Sequence, residues 1–156
     1  MARYKAQLAS SAALANDTGF AWLMGAATEG CKLRRIIIGV RHTTAATAVT
    51  DFQTRVGVNR VTGDGTTITA GTITKDDLRH PTPATRFASA WATPPALASS
   101  DSLVIPFNAK SGVDLPFEFL EEFWVDNLVT DGFAFVNRGG ALPASHVFDI
   151  TVAFEV

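Results

Sequence analysis

The stretch from Ala144 to Val156 most narrows what this chain can fold into. Phe148, Ile150, Val152, Phe154 and Val156 fall on one side of an extended backbone, and Val147, Asp149, Thr151, Ala153 and Glu155 fall on the other. A period of two marks a strand with one buried face and one wet face. This strand closes the chain, so it is expected to lie in a sheet that earlier segments have built.

Those earlier segments read the same way. Cys31 to Arg41 is the strongest of them, and its centre Arg35-Ile-Ile-Ile-Gly-Val40 is apolar on both faces, which suits a central strand. Alternation returns from Ala48 to Asn59, and with only a short Thr/Ala loop at 43–48 between them the two strands are expected to pair antiparallel. Phe20 to Ala27 reads as a strand, with a helical turn as the alternative. Ser102–Asn108, Leu115–Val125 and Thr130–Asn137 follow as strands, the last with Phe133 and Phe135 on one face. Gly63-Asp64-Gly65 and Arg138-Gly139-Gly140 mark turns. Thr74 followed by Asp76 and Asp77 predicts the start of a brief helix, with Thr74 as N-cap. Eight or nine strands with no long amphipathic helix predict an all-β protein, an antiparallel β-sandwich of jelly-roll type. Residues 1–19 read as an N-terminal arm, in which the alternation of Tyr4, Ala6 and Leu8 allows a short edge strand before an Ala/Ser stretch with little to bury, and 20–156 as one domain, a size that builds a core without staples.

Composition agrees and removes some function classes. Only 18% of residues are charged and 47% are hydrophobic, which is neither a disordered nor a highly charged chain. Cys31 is the single cysteine, so no intrachain disulfide forms, and its strand context makes it a buried thiol. No apolar run reaches the length of a membrane-spanning helix, and Gln7, Ser10 and Ser11 interrupt what would be the apolar part of a secretory leader. Charge is uneven: residues 1–60 hold eight Lys/Arg against three Asp/Glu, and residues 111–156 hold eight Asp/Glu against Arg138 alone. Two readings are open. Strands of the two halves neutralise each other inside one sandwich, or a polar molecule associates head to tail. The basic half lacks interleaved aromatics, which points away from nucleic acid.

The residues offer no recognisable chemistry. His42, His80 and His146 each stand beside a turn, without the spacing of a zinc site. There is no nucleophile elbow. Glu118, Glu121 and Glu122 could supply the carboxylate pair of a glycosidase, or form a solvated acidic edge. Trp22, Trp91 and Trp124 could make a sugar-stacking platform, but Trp22 and Trp124 read as core, which leaves Trp91 for a partner. No catalytic residue, cofactor site or metal site is expected.

Four stretches in order carry a resemblance: Cys31-Lys-Leu-Arg-Arg-Ile-Ile-Ile-Gly-Val40, Thr50-Asp-Phe-Gln-Thr-Arg55, Thr74-Lys-Asp-Asp-Leu-Arg-His-Pro81 and the closing Asp149-Ile-Thr-Val-Ala-Phe-Glu-Val156. Over residues 31–156 the chain resembles the small β-sandwich proteins encoded among tailed-bacteriophage head genes, the capsid decoration (cement) and minor head proteins. The resemblance implies a virion component made in the host cytoplasm and placed on the capsid surface. Its partner would be the shell of major capsid protein, and it would associate with itself, a trimer being favoured, with no membrane or nucleic acid partner and no cofactor. The alternatives are another phage structural part, from the tail or the head–tail joint, and then a carbohydrate-binding sandwich.

Partner contacts are expected in two places. The arm is expected to be loose in the free subunit and to add a strand to an exposed sheet edge, with Tyr4 and Leu8 as anchors. The connection 81–95 holds four of the seven prolines, has room for one short strand at 87–92, and presents Phe87 and Trp91, the residue type that dominates binding hot spots.

Overall fold

The computed structural model describes residues 1–118 and 123–156. Every regular element in it is a strand: β1 Arg3–Ala9, β2 Gly19–Met24, β3 Cys31–His42, β4 Gln53–Val61, β5 Thr66–Ala70, β6 Thr72–Lys75, β7 Arg86–Thr93, β8 Leu97–Asn108, β9 Val113–Pro116, β10 Phe123–Val125, β11 Gly132–Asn137 and β12 His146–Glu155. They form two antiparallel sheets packed as a sandwich. One runs β10-β3-β12-β1-β6, with β9 also on β3, and the other runs β5-β7-β2-β11-β4-β8.

The alternation of β12 sets the register of the first sheet. Phe154 lies beside Tyr4 and Leu33, Val152 beside Ala6 and Ile36, and Ile150 beside Leu8 and Ile38. All but the half-buried Leu8 are buried, and together they form one wall of the core. The other wall is Phe20, Leu23, Val56, Val58, Phe87, Phe107, Phe133 and Phe135. Phe148 of β12 joins the walls, stacked on Phe20 with ring centroids 5.0 Å apart and tilted against Phe107 at 6.3 Å. Rings of this size give up the most apolar area on burial, so their contacts dominate the stability of the core.

The second sheet is buried on its other face as well. Trp22, Met24, Val61, Ala88, Ala134 and Val136 make a separate buried cluster, with Trp91 and Leu97 packed on it. This explains why β11 is buried throughout, and not only at Phe133 and Phe135.

Several expectations are corrected. The arm does not exist as a loose segment at 3–9: β1 is an interior strand, hydrogen-bonded to β12 on one side and β6 on the other, with Tyr4 and Ala6 inside the core. β3 and β4 do not pair. The connection 43–52 leaves the first sheet and enters the second, so each strand finds other neighbours. No helix starts at Thr74. Thr72–Lys75 is β6, and the Thr74 hydroxyl donates to Lys5 O at 3.2 Å instead of capping a helix. The connection 81–95 is not a loop throughout: the short strand expected at 87–92 forms, as β7, and lies inside the second sheet between β2 and β5 instead of on an open interaction surface. The expected strand 115–125 is represented by β9 and β10, and Phe119–Glu122 lie outside the described residues.

The uneven charge is answered within the chain. Basic residues of 1–60 pair with acids of 111–156: Arg3 and Arg34 with Glu155, Arg35 with Asp114, Arg41 with Asp149 and Arg60 with Asp131. Antiparallel pairing of β12, β3 and β9 brings Arg34, Arg35 and Arg41 to their acids, and pairing of β1 with β12 brings Arg3 to Glu155. Arg35–Asp114 and Arg41–Asp149 stand in solvent, where screening leaves little net stabilisation, whereas Glu155 is buried between its two arginines.

Candidate interaction surface

The residues expected to meet a partner are not displayed for one. Tyr4 is 1% exposed, stacks on Phe154 at 5.5 Å and donates its hydroxyl to Pro81 O at 2.9 Å. Leu8 is half-buried against the core, and Phe87 is 1% exposed within it. Trp91 is half-buried, edge-on to Trp22 at 6.5 Å with the Arg86 guanidinium 5.7 Å from its ring. Nor does the structure gather the four on a surface: Tyr4 and Phe87, with Leu8 packed on them, belong to the core between the sheets, while Trp91 packs on the separate cluster of the second sheet. The tryptophan platform is also not formed, because Trp22 is 5% exposed on the second sheet and Trp124 stands on β10 of the first.

Trp124 is the residue that sequence reasoning misplaced. It is 54% exposed, although it was expected in the core. Its neighbours explain the placement. Phe123 turns inward, edge-on to Phe133 at 5.1 Å and to Phe117 at 5.2 Å, and Val125 is buried, so Trp124 must point the other way in a strand. The alternation Phe-Trp-Val was the signal available in the sequence. Lys32, its cross-strand partner on β3, lays its ammonium 3.9 Å from the ring.

The segment after Trp124 is held from beneath. Gly25 and Gly30 let it approach closely: a Cβ on Gly25 would sit 2.2 Å from Asp126 O, and one on Gly30 would sit 2.3 Å from Val125 O. Arg60 Nη1 donates to Trp124 O at 2.6 Å, and Arg86 Nη2 donates to Val129 O at 2.6 Å. The Asp131 carboxylate accepts from Asp126 N at 2.7 Å and from Arg60. Two further backbone bonds, Leu128 N to Asp126 O and Asp131 N to Leu128 O, close the turn. The backbone is thus held by hydrogen bonds from Arg60, Arg86 and Asp131, while the apolar side chains are left outside: Leu128 is 54% exposed and Val129 39%. A segment whose conformation is already paid for loses little entropy on binding, and a rigid tryptophan is a strong anchor.

The remaining polar candidates serve the fold. Asp76 pairs with Lys5 at 3.1 Å, Asp77 with Arg79 at 2.7 Å and Asp64 with Arg86 at 3.2 Å. Glu118 is exposed, and Glu121 and Glu122 lie outside the described residues. Burial pushes the Cys31 thiol up to about 12, which leaves it protonated and unreactive at neutral pH. Among the described residues no three His, Cys, Asp or Glu side chains converge as a metal site, and no helix is long and apolar enough to cross a membrane.

Comparison with family models, with curated proteins and with solved structures finds no match for this chain.

Proposed function

We propose that this chain is a structural protein of a bacteriophage particle, a capsid decoration protein that binds the outer surface of the shell. The reading rests on the resemblance carried by residues 31–40, 50–55, 74–81 and 149–156. The observation in its favour is the platform at 124–131, where a fixed backbone carries Trp124, Leu128 and Val129 outward. Such a surface suits docking on another protein, since exposed aromatic and aliphatic groups on a rigid support bind by excluding water. Its partner is the major capsid protein shell. The role is non-enzymatic and needs no cofactor.

The experiment is co-sedimentation of the purified subunit with undecorated shells, followed by counting copies in native particles. Saturable binding at hundreds of copies per particle supports decoration. About a dozen copies, confined to one vertex, would instead make it a head–tail joining part. No binding to shells, with retention on a glycan array, would replace both readings with the carbohydrate-binding one.

A further inference from the structure

His42 ends β3 and His146 begins β12, and the two are cross-strand partners. Their rings stand 5.2 Å apart, edge to face, with Phe52 edge-on to His146 at 5.8 Å. The connection 43–52, which carries the chain from one sheet to the other, departs from this point.

A backbone N–H can only donate a hydrogen bond, so the ring nitrogen that receives it holds a lone pair. Thr44 N donates to His42 Nδ1 at 3.0 Å, and Thr50 N donates to His146 Nε2 at 3.2 Å. Both imidazoles are therefore neutral in this arrangement. His42 carries its proton on Nε2. His146 carries it on Nδ1, where Ala144 O accepts at 2.9 Å. His146 is 3% exposed, so water cannot easily take over the role of either partner.

We propose that His42 and His146 form an acid-sensitive clasp on the connection between the two sheets. Uptake of one proton turns an accepting nitrogen into a donor, which faces the N–H of Thr44 or Thr50 and expels it. The same proton sets a positive charge beside the second ring. No other bond is made or broken. The charged groups on the elements packed here are already matched: Arg41 of β3 with Asp149 of β12 at 2.7 Å, and Asp51 of the connection with Asn108 at 2.7 Å and Lys110 at 3.8 Å. The ends of the connection keep other ties, Thr43 N to Ser145 O and Ala109 N to Phe52 O. Acid therefore frees the middle of the connection, whose residues 43–48 are exposed, and leaves both sheets standing. Imidazole is the side chain type that changes charge in the range between about pH 5 and pH 8, which sets the range of the test.

The test is a titration by nuclear magnetic resonance from about pH 8 to about pH 5. At the upper end, imidazole nitrogen shifts should report the proton on Nδ1 for His146 and on Nε2 for His42. On acidification the amides of Thr44 and Thr50 should move with the same midpoints as the rings, while the amide of Ile150 stays in place. His146→Phe keeps a ring in the site but cannot accept, so the Thr50 amide should lose its pH response. Should that variant not fold, His42→Phe asks the same of Thr44 from the less buried side. The opposite tautomer on His146, or Thr44 and Thr50 amides that ignore the ring titrations, overturns the proposal.

Discussion

Glu155 and Arg34 meet across β12 and β3, with Arg34 Nε donating to Glu155 Oε2 at 2.9 Å, while Arg3 takes the other carboxylate oxygen at 2.8 Å. Glu155 is 4% exposed and lies on the face of β12 that alternation assigns to water. The two guanidiniums make its burial tolerable, because a buried carboxylate needs both charge and hydrogen bonds answered.

This arrangement sets an acid dependence. Burial raises the Glu155 carboxyl, but the hydrogen bonds from Arg3 and Arg34 outweigh it and hold the group below the ordinary carboxylate range. Asp101 is held down as well, chiefly by its hydrogen bond from Arg138. A lowered folded value means that the stabilisation is present above the unfolded carboxylate value, about 4, and is lost as pH falls through the folded one. The melting temperature should be flat near neutrality and drop below about pH 4. In Glu155→Gln that drop should be shallower, from a starting point lower by about 1–2 kcal/mol. Thermal melts across pH check both statements, and a variant that matches the parent curve at every pH would contradict them.

Replacing Ile150 by Asp should prevent soluble folding, since this side chain is 1% exposed between Leu8 and Ile38 and the new carboxylate has no partner there. Ile150→Ala, which only leaves a cavity, should cost about 2–5 kcal/mol in denaturant unfolding. Thr151→Asp, on the half-buried opposite face, should cost less than about 1 kcal/mol. Equal losses on both faces would mean that the outer face of β12 is closed too.

Removing residues 2–9 should abolish folding rather than trim a free arm. β1 supplies Tyr4 and Ala6 to the core and carries the hydrogen bonds between β12 and β6. Its loss would expose the edge of a long apolar strand, a recipe for aggregation. Circular dichroism and size-exclusion chromatography of the truncated chain decide the matter, and a monomeric, folded product would show that β1 is dispensable.

The platform separates binding from stability. Trp124→Ala should shift the melting temperature by no more than a few degrees, because a half-exposed side chain contributes little, yet weaken binding to shells at least about tenfold. Trp22→Ala, from the buried cluster beneath Trp91, should cost about 3–5 kcal/mol. Gly25→Ala should lower stability by about 1–3 kcal/mol, since its Cβ would press on Asp126 O, and should impair binding by moving the segment that Trp124 begins. Full shell binding by Trp124→Ala would move the contact surface elsewhere.

What the sequence disclosed follows the reach of its patterns. Period-two alternation revealed β12 and much of β3, because slipping either strand by one residue would turn its apolar set to water. The same alternation was visible at Tyr4, Ala6 and Leu8, but the Ala/Ser-rich stretch after it suggested an arm, and nothing local tells a strand that it will be claimed on both sides. The pairing of β3 with β4 failed for a related reason: a short loop can return along its own sheet or cross to the facing one, and here His146 holds it on the crossing path. Trp124 was lost because aromatic content was weighed above parity with Phe123 and Val125. The burial of Glu155 was not legible, since its partners Arg3 and Arg34 lie far away in sequence.

The adjacency of β1 and β12 carries a consequence for synthesis. Ala2 and Val156 exchange backbone hydrogen bonds at 3.0 Å in both directions, so the two extremes of the chain are neighbours in space. During translation β1 must wait for its β12 partner until all the intervening strands have been made, and β3 waits for the same neighbour. Contacts of such separation slow folding and leave apolar edges open in the meantime. A new backbone link between Ala2 and Val156, with the chain reopened in the exposed connection 43–48, would turn the longest-range pairing in the sheet into a hairpin. Such a permuted chain should reach the same sandwich faster than the natural order does.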